Sequence, residues 1–232
     1  GQIQPKGPDF VGWTWDSTRH VFWMVPGEMQ PHGSGLCLGE TSAYTSDPGF
    51  RYGSLMTFDP ATKRWAEYDS QARAFHDTWS AVYDPKADTL VAAGVPGGGY
   101  NMGVYDIKTK TWSRYFYDTG AGPSPAIGKS VWAADLDGRR VFMYDSIYGQ
   151  LWKWNLDARR FEGNGTWPAG GAGAQPVMAP VSPCGPASVT GADRGYLVWD
   201  RNAKVLIQAC YGGAKVYAFH PDDAPPRWED LS

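Results

Sequence analysis

Between Val82 and Trp112 the apolar positions fall into four short runs separated by turn residues. The first run closes on Asp84, a Pro-containing turn reverses the chain, and Leu90 to Ala93 forms the second. Glycines 94 and 97–99 end it, a third run extends from Met102 to Tyr105-Asp106, and Trp112 opens a fourth. Runs this short, rich in β-branched and aromatic residues and bounded by Gly, Pro and Asp, predict four antiparallel strands in one sheet.

The pattern recurs along the chain. Its first half reads TWDSTRHVFWM (14–24), VYDPKADTLVAA (82–93), AADLDGRRVFMY (133–144) and VWDRNAKVLIQA (198–209). In each, an aspartate closes one strand and the next apolar run starts about five residues later. An aspartate there suits the first position of a type I turn, where its carboxylate accepts backbone N–H bonds. The second half reads TFDPATKRW (57–65), VYDIKTKTW (104–112), KWNLDARRF (153–161) and AFHPDDAPPRW (218–228). An aromatic precedes Asp59, Asp106, Asn155 or His220, and Trp65, Trp112, Phe161 or Trp228 follows six residues later, eight in the last copy.

Two strands, glycines after the second, then a Tyr-Asp strand with a Trp six residues on: this unit resembles the kelch repeat, with its period of about 50 residues. The resemblance covers nearly the whole chain and implies an all-β fold, a β-propeller of four four-stranded antiparallel blades at about 9–68, 76–117, 128–162 and 193–232 in a single domain. The glycine group survives in Val95–Gly99 and Gly212-Gly213, while the first blade offers only Gly27 and the third only Gly149. Kelch propellers have more blades than four as a rule. The four repeats are therefore expected to be half of a dimeric ring or part of a longer propeller, with a compact four-bladed ring as the third reading.

The anchors Asp16, Asp84, Asp135 and Asp200 lie 68, 51 and 65 residues apart. The excess is localised. Asp16 to Asp59 takes 43 residues where the other blades take 20 to 22, and Phe161 to Asp200 takes 39 where equivalent gaps are 19 and 23. Both insertions, about 26–52 and 163–194, belong to loops on one face of the blades, since strand order puts the one–two and three–four turns on the opposite face. Long loops on a rigid scaffold are where function concentrates, and the resemblance implies ligand sites on that same face.

Gly 29, Pro 18 and 15% aromatic residues agree with many turns between aromatic-rich strands. Net charge is -3 with acidic and basic residues well mixed, so no basic stripe marks the chain for nucleic acid. No apolar run reaches the roughly 18–20 residues that span a bilayer. The chain begins at Gly1, which implies a removed leader or a piece of a longer protein. Cys37, Cys184 and Cys210 allow at most one internal disulfide, Cys37–Cys184 between the insertions or Cys184–Cys210 beside the fourth blade, with free buried cysteines as the other reading. A disulfide and the sequon Asn164-Gly165-Thr166 would place the protein outside the cytoplasm, extracellular or periplasmic; a cytoplasmic setting is the alternative.

Candidate chemistry is sparse. Of 12 Trp residues, Trp15, Trp23, Trp65, Trp79, Trp112, Trp132, Trp152, Trp154, Trp199 and Trp228 fall in predicted strands or at their edges, where they are expected to pack blade against blade. Trp167 lies inside the second insertion and is the candidate for stacking on a ligand. His32, Tyr44, His76 and Tyr100 share the insertion face with it, while His20 and His220 are expected to cap turns on the other. Some kelch-like propellers are copper-radical oxidases; their ligand types would here be His32, His76, Cys37, Tyr44 and Tyr100, but no adjacent Tyr-His pair occurs. No GxSxG, HExxH, P-loop or dinucleotide fingerprint is present. The expected function is a non-catalytic module, without metal or cofactor, that binds a protein or carbohydrate partner through the insertion face. The alternatives are a carbohydrate-active enzyme domain (oxidase, lyase or mutarotase) and a structural subunit of a larger assembly.

Overall fold

A computed structural model describes residues 4–5, 11–26, 50–51, 55–70, 72, 80–94, 101–116, 130–145, 149–163, 177–185, 195–210 and 215–232. These hold strands and turns, and no helix occurs among them. The strands are β1 (Gln4–Pro5), β2 (Val11–Asp16), β3 (Val21–Pro26), β4 (Phe50–Arg51), β5 (Leu55–Asp59) and β6 (Arg64–Asp69), followed by β7 (Ser80–Asp84), β8 (Thr89–Gly94), β9 (Asn101–Asp106) and β10 (Thr111–Phe116). Then come β11 (Val131–Asp135), β12 (Arg140–Asp145), β13 (Gln150–Asn155) and β14 (Arg160–Glu162), and finally β15 (Tyr196–Asp200), β16 (Val205–Ala209), β17 (Val216–His220) and β18 (Arg227–Asp230).

Four four-stranded antiparallel sheets result, each a meander in chain order: β2-β3-β5-β6, β7-β8-β9-β10, β11-β12-β13-β14 and β15-β16-β17-β18. They are the four repeats read from the sequence. A short parallel pair, β1 with β4, joins Gln4–Pro5 to the end of the first insertion and had no counterpart in the repeat pattern. The chain divides into two compact units, Gly1–Phe116 and Tyr117–Ser232, each containing two of the sheets.

Seven hairpins share one turn. Asp16, Asp59, Asp84, Asp106, Asp135, Asn155 and Asp200 each close a strand, and four residues on stand His20, Lys63, Asp88, Lys110, Arg139, Arg159 and Lys204, all with φ between 52° and 57°. The first residue's side-chain oxygen accepts amide bonds from the turn, as at Asp16 (Thr18 and Arg19 N–H, 2.8 and 2.9 Å), Asn155 (Asp157 and Ala158, 2.9 and 2.8 Å) and Asp200 (Asn202 and Ala203, both 2.9 Å). Four-residue hairpin loops of this kind are built around a type I turn followed by a left-handed residue. The eighth connection, His220 to Arg227, is longer and lacks the aspartate.

Within each unit the sheets face one another across an apolar cluster. In the first, Trp23, Val25 and Leu55 meet Tyr83, Leu90 and Tyr105, with Trp112 and Tyr68 at the margin. In the second, Phe142, Tyr144 and Leu151 meet Leu206 and Phe219, with Leu197, Trp199 and Trp228 packed against them. The first strand of each sheet sets the geometry. β2 presents Gly12, Thr14 and Asp16 toward β7, where Tyr83 N–H donates to Thr14 Oγ1 at 2.9 Å. A Cβ at Gly12 would lie 2.9 Å from Ala81 Cβ and 2.9 Å from the Ser80 backbone, so glycine permits the close approach. β11 likewise presents Val131 and Ala133 to the cluster that receives Leu197 and Trp199 of β15. Counted back from the turn aspartate, positions two and four of β2 and β11 face the second sheet of their unit, and positions one and three of β7 and β15 face the first.

Candidate functional site

His32, Cys37, Tyr44, His76, Tyr100, Asn164 and Trp167 all lie outside the described residues. The insertion-face candidates and the ligand types of the copper reading are among them. Among the described residues no three His, Cys, Asp or Glu side chains are grouped to hold a metal ion.

Part of the second insertion is described, and it is fixed to the second unit at several points. Met178 is buried in the apolar cluster, and its N–H donates to the Leu151 carbonyl at 2.8 Å. The Trp228 indole donates to the Pro180 carbonyl at 3.0 Å, and the Ser182 hydroxyl bonds Gln208 Oε1 at 2.7 Å. Tyr144 donates its hydroxyl to the Gly185 carbonyl. Burial pushes that hydroxyl up to about 12, against the pull of Gln208 and Ser182. Cys184 and Cys210 are joined, with Cα atoms 5.3 Å apart. Of the two pairings open in the sequence, the one beside the fourth sheet forms.

The opposite face carries the turns and is held by arginine. In the first unit Arg19, in the β2–β3 turn, makes a bidentate pair with Asp88 of the β7–β8 turn (2.7 Å each) and a third bond to Asp16 at 2.8 Å. Asp16 is fully buried and also accepts the Trp23 indole N–H at 2.9 Å. Burial pushes the Asp16 carboxyl up, but the Arg19 amide, the Trp23 indole and the Arg19 guanidinium together bring it below its ordinary value. Asp88 is lowered by the Arg19 bond, and Arg19 is raised by it.

The second unit repeats the device with different residues. Arg140 at the start of β12 bonds Asp135 at 2.8 Å and clamps Asp222 of the β17–β18 turn with two bonds of 2.6 Å. Its guanidinium lies 5.3 Å from the centre of the Trp199 ring. Arg201 reaches Asp137 at 2.6 and 3.0 Å. These fork-shaped pairs match guanidinium to carboxylate geometry and tie turn to turn. Both histidines lie at turns. His20 occupies the left-handed turn position with its ring 6.1 Å from Trp15, and His220 closes β17 and contacts Glu229 at 3.0 Å.

The first sheet carries a surface that the sequence reading did not single out. Trp15 pairs with Phe22, Phe22 with Phe58 and Phe58 with Trp65, which makes a row of aromatic rings across all four strands. Trp13 lies beside it, 5.4 Å from Trp65. Trp13, Trp15 and Phe22 are 46%, 41% and 38% exposed. This corrects the expectation that Trp15 packs blade against blade: its side of β2 is turned away from the second sheet. Trp23, Trp152 and Trp154 are buried as expected. The W-x-W spacing at 13 and 15, beside the small residues Gly12 and Thr14, was the signal for one aromatic and one close-packing face of β2.

Against known proteins, no protein-family model and no curated protein matches the chain. Solved structures do. A nidogen/laminin complex gives a TM-score of 0.57 at 10% identity over 96% of this chain and 64% of that one. An auxiliary nutrient binding protein from Bacteroides ovatus gives 0.53 at 10% identity, covering 97% of this chain and 47% of that one. TolB from Acinetobacter baumannii gives 0.51 at 9% identity, covering 97% and 44%. The chain is all-β and β-propeller-like. It spans less than two thirds of the length of each of these structures, and likeness at such identity carries the fold alone.

Proposed function

We propose that this chain is a non-catalytic, kelch-like propeller module, working outside the cytoplasm, that holds a protein or carbohydrate partner on the face bearing the insertions 26–52 and 163–194. The carrying observation is the fixing of Val177–Gly185. A connection this long needs no disulfide, core methionine and three side-chain hydrogen bonds merely to reverse the chain. Such ordering lowers the entropy that a binding loop loses on contact. Trp167 and Asn164 lie in the same insertion and His32 in the other, and Trp167 is the residue assigned to the partner. The disulfide supports the extracytoplasmic setting, and a nidogen/laminin complex among the structures of similar fold is consistent with a binding role.

The test is direct. The chain and its Trp167→Ala and His32→Ala variants would be screened against an oligosaccharide array and an array of secreted proteins. A partner that loses at least tenfold in affinity with either variant supports the reading. Partners held equally by all three chains remove the insertion face from the account.

A further inference from the structure

The uncovered aromatic face of the first sheet has a mate elsewhere in the same chain. Position by position, Trp13 and Trp15 of β2 correspond to Ala81 and Tyr83 of β7 and to Leu197 and Trp199 of β15, counted back from Asp16, Asp84 and Asp200. In the second and fourth sheets those positions are covered by the preceding sheet of their unit. In the first sheet they are exposed. Conversely, Tyr196 and Val198 of β15 correspond to Gly12 and Thr14 of β2 and to Val131 and Ala133 of β11, positions that meet a following sheet within the units. Tyr196 and Val198 are 80% and 58% exposed.

The two faces are complementary in size. In both interfaces inside the units a strand with a large ring one residue before its aspartate, Tyr83 or Trp199, meets a strand with a small residue two before its own, Thr14 or Ala133: the Tyr83 N–H donates to Thr14 Oγ1, and Trp199 packs on the cluster that contains Ala133. Trp15 and Val198 hold these same two positions. The row beside Trp15 is all aromatic, and the row beside Val198 runs through the smaller, aliphatic Ile207 and Ala218 and ends on the edge strand at Glu229, which His220 and Arg227 hold. The aromatic row is also unsuited to a flat sugar. Its rings are inclined to one another, 57° between Trp15 and Phe22, 44° between Phe58 and Trp65 and 63° between Trp13 and Trp65. Buried Tyr105 and half-buried Trp112 meet in the same way, at 53°. Interdigitating side chains fill such a surface better than a pyranose ring does.

We propose that the Trp13/Trp15 face docks on the Tyr196/Val198 face of a second copy of this chain. The contact is head-to-tail, because the two patches differ, and it reproduces the sheet-on-sheet packing already present in each unit. Both halves belong to one sequence, so the chain is its own partner. This stands apart from the insertion-face reading, whose residues it does not use.

Sedimentation velocity over a wide concentration range, on the chain and on Trp15→Glu and Val198→Glu, tests it. Both substitutions are at exposed sites, and circular dichroism checks that the strands remain; Trp13→Glu and Tyr196→Glu are the substitutes should either fail to fold. The parent chain is expected to associate as concentration rises, and each variant alone to sediment as a monomer. An equimolar mixture of the two variants is expected to recover a dimer and nothing larger, since one intact pair of faces remains. A monomeric parent chain gives the aromatic face to a partner of another sequence and overturns the proposal. So does a Val198→Glu chain that associates as well as the parent, because the aromatic face would then be pairing with itself.

Discussion

Asp16 shows how much one carboxylate carries in this fold. It ends a strand, organises a turn through two amides, holds the Trp23 indole in the core and anchors the arginine that reaches Asp88. Removing it leaves a buried indole N–H and turn amides without their acceptor, so Asp16→Ala is expected to cost about 3 kcal/mol in urea unfolding at neutral pH. The cost depends on acidity in a definite direction. The folded carboxyl titrates below its ordinary value of 3.8, so its contribution is complete above the unfolded pKa and is lost as pH falls through the folded one. The gap between parent and Asp16→Ala is thus expected to be constant from pH 7 to about 5 and to narrow below about pH 4. A gap of equal size at pH 3 and pH 7 would contradict this account. The turn's last residue offers the opposite experiment. Lys204 is exposed with φ 55°, a conformation costing a side-chain-bearing residue roughly 1–2 kcal/mol. Glycine removes that strain and loses some of the gain to a freer unfolded chain. Lys204→Gly is therefore expected to stabilise by about 0.5–1 kcal/mol, a rise in Tm of roughly 1–4 °C, where Lys204→Val lowers it.

At the scale of elements, the four sheets were legible because turn aspartates and aromatic positions repeat at fixed spacing, and each strand is too short to be anything else. The left-handed residues were hidden, because His, Lys, Asp and Arg occupy positions where glycine or asparagine would have signalled them. The disulfide was half legible: cysteine count allowed one bridge, but its partners depend on Cα distances that three-dimensional packing alone supplies. The candidate site divides in the same way. Alternation along β2 separates Trp13 and Trp15 from Gly12 and Thr14, yet nothing in the strand says which side has a neighbour. The bridge that formed has a measurable weight. Cys184 and Cys210 are 26 residues apart, and closing a loop of that size restricts the unfolded chain by about 3 kcal/mol. Replacing both cysteines by serine is expected to lower stability by that order, and adding reductant to the parent chain to produce the same loss. Denaturation curves unchanged by reduction would mean that Met178 and the hydrogen bonds of Val177–Gly185 hold the insertion without the bridge.

For the whole molecule, association and stability are one question, since anything that binds the folded chain alone shifts its unfolding by mass action. The faces proposed to meet are apolar and aromatic at Trp13, Trp15, Tyr196 and Val198, while Glu229 at the edge of the second face is paired with His220 and Arg227 and the clamps of Arg19 and Arg140 are satisfied inside their units. Docking should then be driven by removal of apolar surface from water, with little Coulombic share. Two consequences follow for the parent chain. Its Tm is expected to rise with protein concentration, and that rise to persist in high sodium chloride, which screens exposed charges but not apolar contact. The Trp15→Glu chain is expected to melt at one temperature whatever its concentration, because half of the interface is gone while its own core clusters are untouched. A concentration-dependent Tm that disappears in salt would point to the surface charges instead, and would separate self-association through ion pairs from the sheet-on-sheet contact drawn from these strands.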